Sequence, residues 1–323
     1  MVGGEIVVPR RKRRMPAALA WTALTPFIAW AVTRSFGLER GAWATQVMTA
    51  TPYAALGSLV PLLLAAGSRR RGVTAVAALT TVALSASVLP RAFGAADAAT
   101  GRPLRVLSIN LLYGRADVTQ VMELIRRLKP DVFSAQELTP GAVEALDAAG
   151  LITLMPHRVL QPEWNAGGSG LYSRFGMTAQ WDLVNATAAH KMPAARVDVP
   201  GTGKPVEIIA VHPYAPMGHH VTDWEQALDA LPAATPEVIR VLAGDFNASL
   251  DHAALRRVLT RGYKDAADSA GAGLIPTWPA GRRIPPIITI DHVLVDSGVG
   301  VRSVSVHTLR GTDHRAIFTE LAL

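Results

Sequence analysis

Three long charge-free stretches near the N-terminus restrict this chain more than any other feature. Residues 15–33, 41–68 and 72–90 hold no Asp, Glu, Lys or Arg, over 19, 28 and 19 residues respectively. A helix needs about 20 apolar residues to cross the ~30 Å hydrocarbon layer of a bilayer, and each stretch has that length. Pro52 and Pro61 fall inside the second, so its helix is expected to be kinked or to start near Pro52. Trp21, Trp30 and Trp43 suit the membrane–water interface. The expected spans are about 15–33, 43–67 and 72–91, with a short linker at 92–102.

Charge sharpens this reading. The chain carries 32 Lys+Arg against 25 Asp+Glu, a net of +7. An excess of this kind is the usual footprint of nucleic-acid binding. Its distribution says otherwise. Residues 1–102 hold 12 Lys/Arg and 3 Asp/Glu, a net of +9; residues 103–323 hold 20 and 22, a net of −2. The excess therefore flanks the apolar stretches. Arg10–Arg14 precede the first and Arg69–Arg71 follow the second. The positive-inside rule puts the basic N-terminus (1–14) and the 69–71 loop in the cytoplasm. With three spans, everything after about residue 92 is outside, on a multi-pass membrane protein. The absence of Cys excludes disulfide scaffolds, zinc ribbons and cysteine nucleophiles.

Residues 103–323 read as a layered α/β domain. Apolar or β-branched strands are expected at Leu104–Asn110, Asp131–Leu138, Gly170–Arg174, Val206–His212, Val238–Ala243, Thr289–Val295, Val301–Val306 and Ala316–Leu321. Helical spacing marks Val118–Leu128, closed by Pro130, and Gly141–Ala149, Thr222–Leu231 and Leu250–Leu259. Many strands with interleaved helices suggest stacked sheets with helices outside.

The chemistry-bearing residues sit at the strand ends: Asn110, Glu137, His212, Asp245 with Asn247, Asp291, and Asp313 with His314. Hard oxygen donors of this kind suit Mg²⁺, with Mn²⁺ or Ca²⁺ as alternatives, rather than zinc. An Asp–His pair can orient an imidazole for proton transfer. Together they describe metal-assisted attack of water on phosphorus. His292, next to Asp291, points to the opposite face of its strand and reads as structural. His219 and His220 are neighbours on a helix and do not face one site. His157, His190, His252 and His307 read as surface or packing residues. Arg282 and Arg283 read as a solvated loop pair or as a contact for an anionic head group.

Ser108-Ile109-Asn110-Leu111, Gln136-Glu137, Gly170-Leu171-Tyr172-Ser173-Arg174, His212-Pro213, Gly244-Asp245-Phe246-Asn247-Ala248, Ile290-Asp291-His292-Val293 and Thr312-Asp313-His314 occur in one order. That order resembles the endonuclease/exonuclease/phosphatase superfamily, over about residues 103–323. The resemblance implies a β-sandwich flanked by helices, with a divalent cation on one rim. It implies Glu137 as principal metal ligand, with Asn110 and Asp313 completing the metal shell. It makes His314 the catalytic imidazole, oriented by Asp291. Asp245 resembles the residue that aligns or activates water, Asn247 a phosphate contact, and His212 the second histidine of the deoxyribonuclease, sphingomyelinase and phosphatase branches. Abasic-site endonucleases carry another residue in place of His212 and an acid where this chain has Leu112, so the resemblance points away from them. The acid that pairs with the second histidine in deoxyribonucleases has no match here.

The three spans followed by this domain are similar to bacterial membrane proteins linked to teicoplanin-type glycopeptide resistance. That likeness implies a lipid-linked phosphate, such as a polyprenyl phosphate or pyrophosphate, as substrate at the outer face, and the bilayer as partner. A tethered nuclease is the alternative, with nucleic acid disfavoured by the −2 domain; no protein partner is inferred.

Overall fold

The computed structural model describes residues 17–95, 100–186 and 188–323. The basic segment 1–14, the start of the expected first span and residues 96–99 of the linker lie outside them.

Five helices come first: α1 (Ala17–Phe36), α2 (Gly41–Met48), α3 (Thr51–Gly57), α4 (Leu59–Ser68) and α5 (Arg71–Val88), followed by a 3-10 turn at Leu89–Ala92. Among the described residues, two stretches are long and apolar enough to cross a membrane, Thr51–Ser68 and Arg71–Ala92. Only 39% and 33% of their apolar windows are buried, so most of each surface faces outward. The expected span at 15–33 begins outside the described residues, and its described part, α1, is not among these two. Its helix α1 carries Thr22, Thr25, Pro26, Thr33, Arg34 and Ser35, which dilute its apolar content. In the expected span at 43–67 the helix breaks at Thr49–Ala50 and resumes at Thr51, the start near Pro52 that the sequence suggested. Pro52 explains the break: its ring clashes with the carbonyl four residues back, that of Met48, and it fits the first turn of a new helix.

The domain after the helices is two six-stranded sheets packed face to face. Its strands are β1 (Pro103–Asn110), β2 (Val132–Gln136), β3 (His157–Gln161), β4 (Ser169–Ser173), β5 (Met177–Ala179), β6 (Ala194–Val197), β7 (Val206–Val211), β8 (Ile239–Asp245), β9 (Tyr263–Asp265), β10 (Asp291–Asp296), β11 (Gly300–Thr308) and β12 (Arg315–Ala322). One sheet runs β11-β12-β1-β2-β4-β3, the other β5-β6-β7-β8-β10-β9. Between them lies an apolar layer that includes Val106, Val132, Ile208, Val241, Val293 and Ile317. The hydroxyl of Ser134 crosses it, donating to Ala243 O at 2.8 Å. The connecting helices are α6 (Val118–Leu128), α7 (Pro140–Ala148), α8 (Leu151–Leu154), α9 (Val221–Asp229), α10 (Ala253–Thr260) and α11 (Ala266–Ser269). The first three cover the outer face of the β1 sheet, and α9 and α10 cover that of the β8 sheet. The sequence expectation of a helix-flanked sandwich therefore holds.

Sheet topology gathers the polar strand ends onto one rim. β1 and β2 are parallel neighbours, as are β7 and β8. Their C-terminal ends bring Asn110, Glu137, His212 and Asp245 to the same edge of each sheet. β12 and β10 run antiparallel to β1 and β8, so Asp313–His314 and Asp291 enter at that edge; Asp291 pairs directly with Asp245.

The helices grip this domain at one end. Asp251, just before α10, receives Arg34 Nε at 2.7 Å and both terminal nitrogens of Arg91 at 2.6 and 2.9 Å. Glu39 accepts from Ala253 N at 2.6 Å. His252 Nδ1 accepts from Ser249 N, so Nε2 carries the proton and donates to Thr45 O at 2.8 Å. Burial keeps this imidazole neutral by lowering its pKa, although the backbone contact to Thr45 works the other way. The Arg69–Arg70 turn between α4 and α5 stands at the far end, because α5 at 1.5 Å per residue separates Arg71 from Arg91 by about 30 Å.

Candidate active site

Backbone geometry first sets where the acids point. Glu137 has φ +53° and Asn247 φ +48°, left-handed conformations that side chains other than glycine rarely adopt. Asp245 Oδ1 accepts from Asn247 N at 2.8 Å, closing an Asx turn. Trp224 on α9 donates to Phe246 O at 3.1 Å, which pins the backbone between those two residues.

Asn110 is the hub. Its Nδ2 donates to Glu137 Oε1 and to Asp245 Oδ2, both at 3.1 Å, while its Oδ1 accepts from Leu112 N at 3.0 Å. The second carboxylate oxygen of Glu137 accepts from Tyr113 N at 2.8 Å. Asn110 thus bridges the two acids; to ligate a cation through oxygen its amide would have to turn over. Thr312 Oγ1 donates to Asn110 O at 2.7 Å and accepts from His314 N at 3.1 Å, locking β12 to β1 beside the acids.

His314 Nδ1 faces both oxygens of Asp291, at 3.0 and 3.1 Å. Its Nε2 looks at Asp245 Oδ2 at 3.6 Å and at Asp313 Oδ1 at 3.9 Å. Burial disfavours its charge, but Asp291, then Asp245 and Asp313, outweigh that and hold its pKa up to about 10. Burial pushes Asp245 up to about 7 against the pull of His314. Burial also raises Glu137.

Asp313 Oδ2 accepts from Arg282 at 2.6 Å and from Trp278 Nε1 at 3.2 Å. Its Oδ1 is buried and has no hydrogen-bond partner among the described residues. The Asp313 charge opposes ionisation of Glu137. A buried, unpartnered carboxylate oxygen near a second carboxylate is a donor set that a hard divalent cation fits. The donors of Asp245, Asp291 and His314 also cluster within 4.8 Å. We read those three as a charge-balanced relay instead, since both imidazole nitrogens already face carboxylates.

His212 is fully buried. Its Nε2 lies 3.9 Å from Asp245 Oδ2, and its Nδ1 has no hydrogen-bond partner among the described residues. Where an acid was missing from the sequence, the ring of His190 stacks on His212, with centroids 4.4 Å apart. Burial, reinforced by His190 and then His314, holds His212 well below the ordinary imidazole range. His190 itself is lowered to about 4, by burial and then by His220. The rim thus has one charged imidazole, His314, and one neutral one, His212.

The eight residues singled out from the sequence converge on this rim. His292 does point away, to Asp265 Oδ2 at 2.7 Å and Ala248 O at 2.8 Å. His190, expected at the surface or in packing, packs on His212 beside the site, and no motif surrounds it. Trp278 was missed as well. Arg282 resolves from a loop cation into the partner of Asp313.

Residues 107–314 match the profile of the Endonuclease/Exonuclease/phosphatase family. The chain belongs to this family. Its members are metal-dependent phosphoesterases and nucleases, and this protein is with them an enzyme, a metal-dependent hydrolase of phosphate bonds. No curated protein matches the chain significantly. Among solved structures it is similar to an endonuclease/exonuclease/phosphatase from Beutenbergia cavernae DSM 12333, at 21% identity and TM-score 0.53, covering 69% of this chain and 72% of that one. A humanized D. rerio TDP2 is similar at 16% identity and TM-score 0.53, covering 69% of this chain and 100% of the other. The 3′ phosphatase NExo from Neisseria, bound to a product DNA hairpin, is similar at 18% identity and TM-score 0.52, covering 68% and 100%. At these identities the likeness shows the fold alone.

Proposed function

We propose that this protein hydrolyses a phosphate ester or anhydride of a lipid-linked substrate, a polyprenyl phosphate or pyrophosphate or a phospholipid, at the outer face of a bacterial membrane. The observation that carries this reading is the docking of the catalytic domain, through Arg34, Glu39, Thr45 and Arg91, onto the helical segment that carries the two apolar stretches. Such a tether raises the effective concentration of membrane substrates. The Arg69–Arg71 turn at the far end then faces the cytoplasm. A C-terminally fused reporter active only in the cytoplasm would overturn that orientation. Action on polyprenyl carriers ties the enzyme to recycling of cell-wall lipid, and through it to teicoplanin resistance.

In this reading Glu137 and Asp313 hold Mg²⁺, with Mn²⁺ or Ca²⁺ as substitutes, and Asn110 joins them if its amide turns. A cation held there would supply charge neutralisation for the phosphate and a more acidic water. Asp245, buried with a pKa near 7, takes the proton of the attacking water, the match of pKa to working pH that a general base needs. His314, kept charged by Asp291, presents Nε2 to the negative charge that develops on the phosphoryl group or leaving oxygen. Neutral His212 and Asn247 Nδ2 add donors for non-bridging oxygens; Asn247 Nδ2 now rests on Pro213 O at 3.2 Å.

A second reading, a tethered nuclease, draws on the DNA bound in the Neisseria structure. Against it stands the net −2 of residues 103–323. Phosphate release by the detergent-purified protein decides between them. Activity on polyprenyl pyrophosphate or phospholipid is expected, abolished by EDTA and restored by Mg²⁺. Activity confined to DNA would sink the lipid reading.

A further inference from the structure

Residues 278–288 form a hairpin closed by pairing of Trp278 with Ile288. One side of it belongs to the active site, through Trp278 and Arg282 on Asp313. The other side belongs to the helices, because Tyr53 on α3 donates its hydroxyl to Ile287 O at 2.7 Å. The tip is exposed and has two characters: Arg282-Arg283, then Ile284-Pro285-Pro286-Ile287. Ile284 is 59% exposed, although nothing polar recommends it to water.

Behind the hairpin, between it and α3, lies a cavity of about 250 Å³. Its walls include Pro52, Tyr53 and Leu56 on the helix side and Leu274, Pro276 and Ile287 on the domain side. Ser249 and Thr289, also at its wall, stand two residues from Asn247 and Asp291. The cleft is therefore mostly apolar and opens beside the outward face of a helix apolar enough to cross a membrane, and its wall includes sequence neighbours of two site residues. The charged part of its wall is the paired Arg91 and Asp251; Arg282, at Asp313, and exposed Arg283 lie outside the cleft, on the tip of the same hairpin whose Ile287 lines it.

We propose that this cleft binds the hydrocarbon chain of the substrate where it leaves the bilayer, and that the 278–288 hairpin guides the chain's phosphate end to the site. This rests on the lipid-phosphate reading above and adds a chain-binding site to it. The charge order fits one occupant, an amphiphile with an anionic head and an apolar tail. Its head meets Arg282 and Arg283, and its tail lies against Leu56, Leu274 and Ile287, where burial of each methylene is favourable. Tyr53 suits the level of the interface, with its ring on the apolar side and its hydroxyl on a backbone carbonyl.

The test compares two substrates with one head group: a long-chain polyprenyl pyrophosphate and isopentenyl pyrophosphate, which carries a single isoprene unit. The full-length protein is assayed in detergent with Mg²⁺. Leu56→Trp fills the cleft from its open side; Leu79→Trp, on an exposed face of α5, is the control. Wild type and Leu79→Trp are expected to prefer the long chain. Leu56→Trp is expected to lose about tenfold in kcat/KM on the long chain, or about 1.4 kcal/mol, with isopentenyl pyrophosphate unchanged. Long-chain turnover with the preference unaltered in Leu56→Trp would sink the cleft and leave the lipid reading standing. Equal loss on both substrates would also sink the cleft, since the substitution then acts on the site. No turnover of the long chain by wild type would overturn the lipid reading and the cleft together.

Discussion

Replacing His314 by alanine is expected to lower kcat about 10²- to 10⁴-fold, the usual worth of a positioned proton-transfer or charge-stabilising imidazole. Asp291→Asn is expected to approach the upper end, because an amide cannot hold the imidazolium that a buried carboxylate holds. The argument rests on the two sides of one ring. Nδ1 is held by Asp291 at 3.0 Å, so Nε2 alone is free to meet substrate, beside Asp245 at 3.6 Å. The change in KM should be small for Asp291→Asn, since Asp291 acts through His314 and touches no phosphate. His314 also contributes to stability, and the sign follows from its raised pKa. The unfolded imidazole titrates near 6.5 and the folded one near 10. The stabilisation is therefore fully present below pH 6.5 and is lost as pH rises through 10. His314→Ala should unfold more easily than wild type at pH 7 and converge with it above pH 10, as thermal melts will show. Steady-state turnover on a chromogenic phosphate ester, with folding checked by circular dichroism, tests the catalytic part. A folded His314→Ala enzyme with more than a tenth of wild-type kcat would remove His314 from the mechanism.

The site was legible because its residues end strands whose apolar runs are unmistakable. Val206–Val211 and Ile239–Asp245 are both fully or nearly fully buried. A run of that kind, followed by His or by Asp-x-Asn, places the polar group at a rim whatever the topology. Period-two alternation likewise assigned His292 to the face opposite Asp291, where it meets Asp265. What escaped had no such support. β3 and β5 are short edge strands with mostly exposed or half-buried residues, the edge strand β9 is only three residues long, and β6 is four. Their pairing comes from neighbouring strands, which local sequence does not encode. His190 reaches His212 through tertiary packing alone, and the 278–288 hairpin is fixed at one end by Asp313 and at the other by Tyr53, 234 residues before its partner Ile287. In the helical part, a search for uncharged gaps gives no weight to the threonines and Pro26 that dilute the apolar content of α1. Net charge was informative only after division of the chain, since the +9 belongs to helix flanks and loops.

Asp251→Ala is expected to destabilise the protein by about 3–5 kcal/mol, the cost of leaving a buried charge without its partner. Asp251 is 1% exposed and holds two guanidinium groups, one from each end of the helical segment. Arg91 binds it with two parallel hydrogen bonds, the geometry in which Arg–carboxylate pairs are strongest. At 7% exposure its charge cannot escape to water when the carboxylate is removed. Arg34 retains a partial route to solvent at 16% and suffers less. Arg256, whose guanidinium donates to Arg34 O and to Asp251 O, would then stand beside two uncompensated cations. The like charges of Arg34 and Arg91 already depress its pKa, after burial, and the loss of Asp251 removes one of the two acids that oppose them. The double variant Asp251→Leu with Arg91→Met should recover much of the loss, because an apolar pair of similar volume costs little where an ion pair was buried. Thermal unfolding in detergent measures both. The catalytic domain has its own two-sheet core, so the expected defect is undocking of the helices from α10 before the domain melts. Limited proteolysis should accordingly cut Asp251→Ala between residues 93 and 102 sooner than wild type. A melting curve unchanged by Asp251→Ala would mean that Glu39, His252 and Tyr53 suffice to hold the domain on its helices.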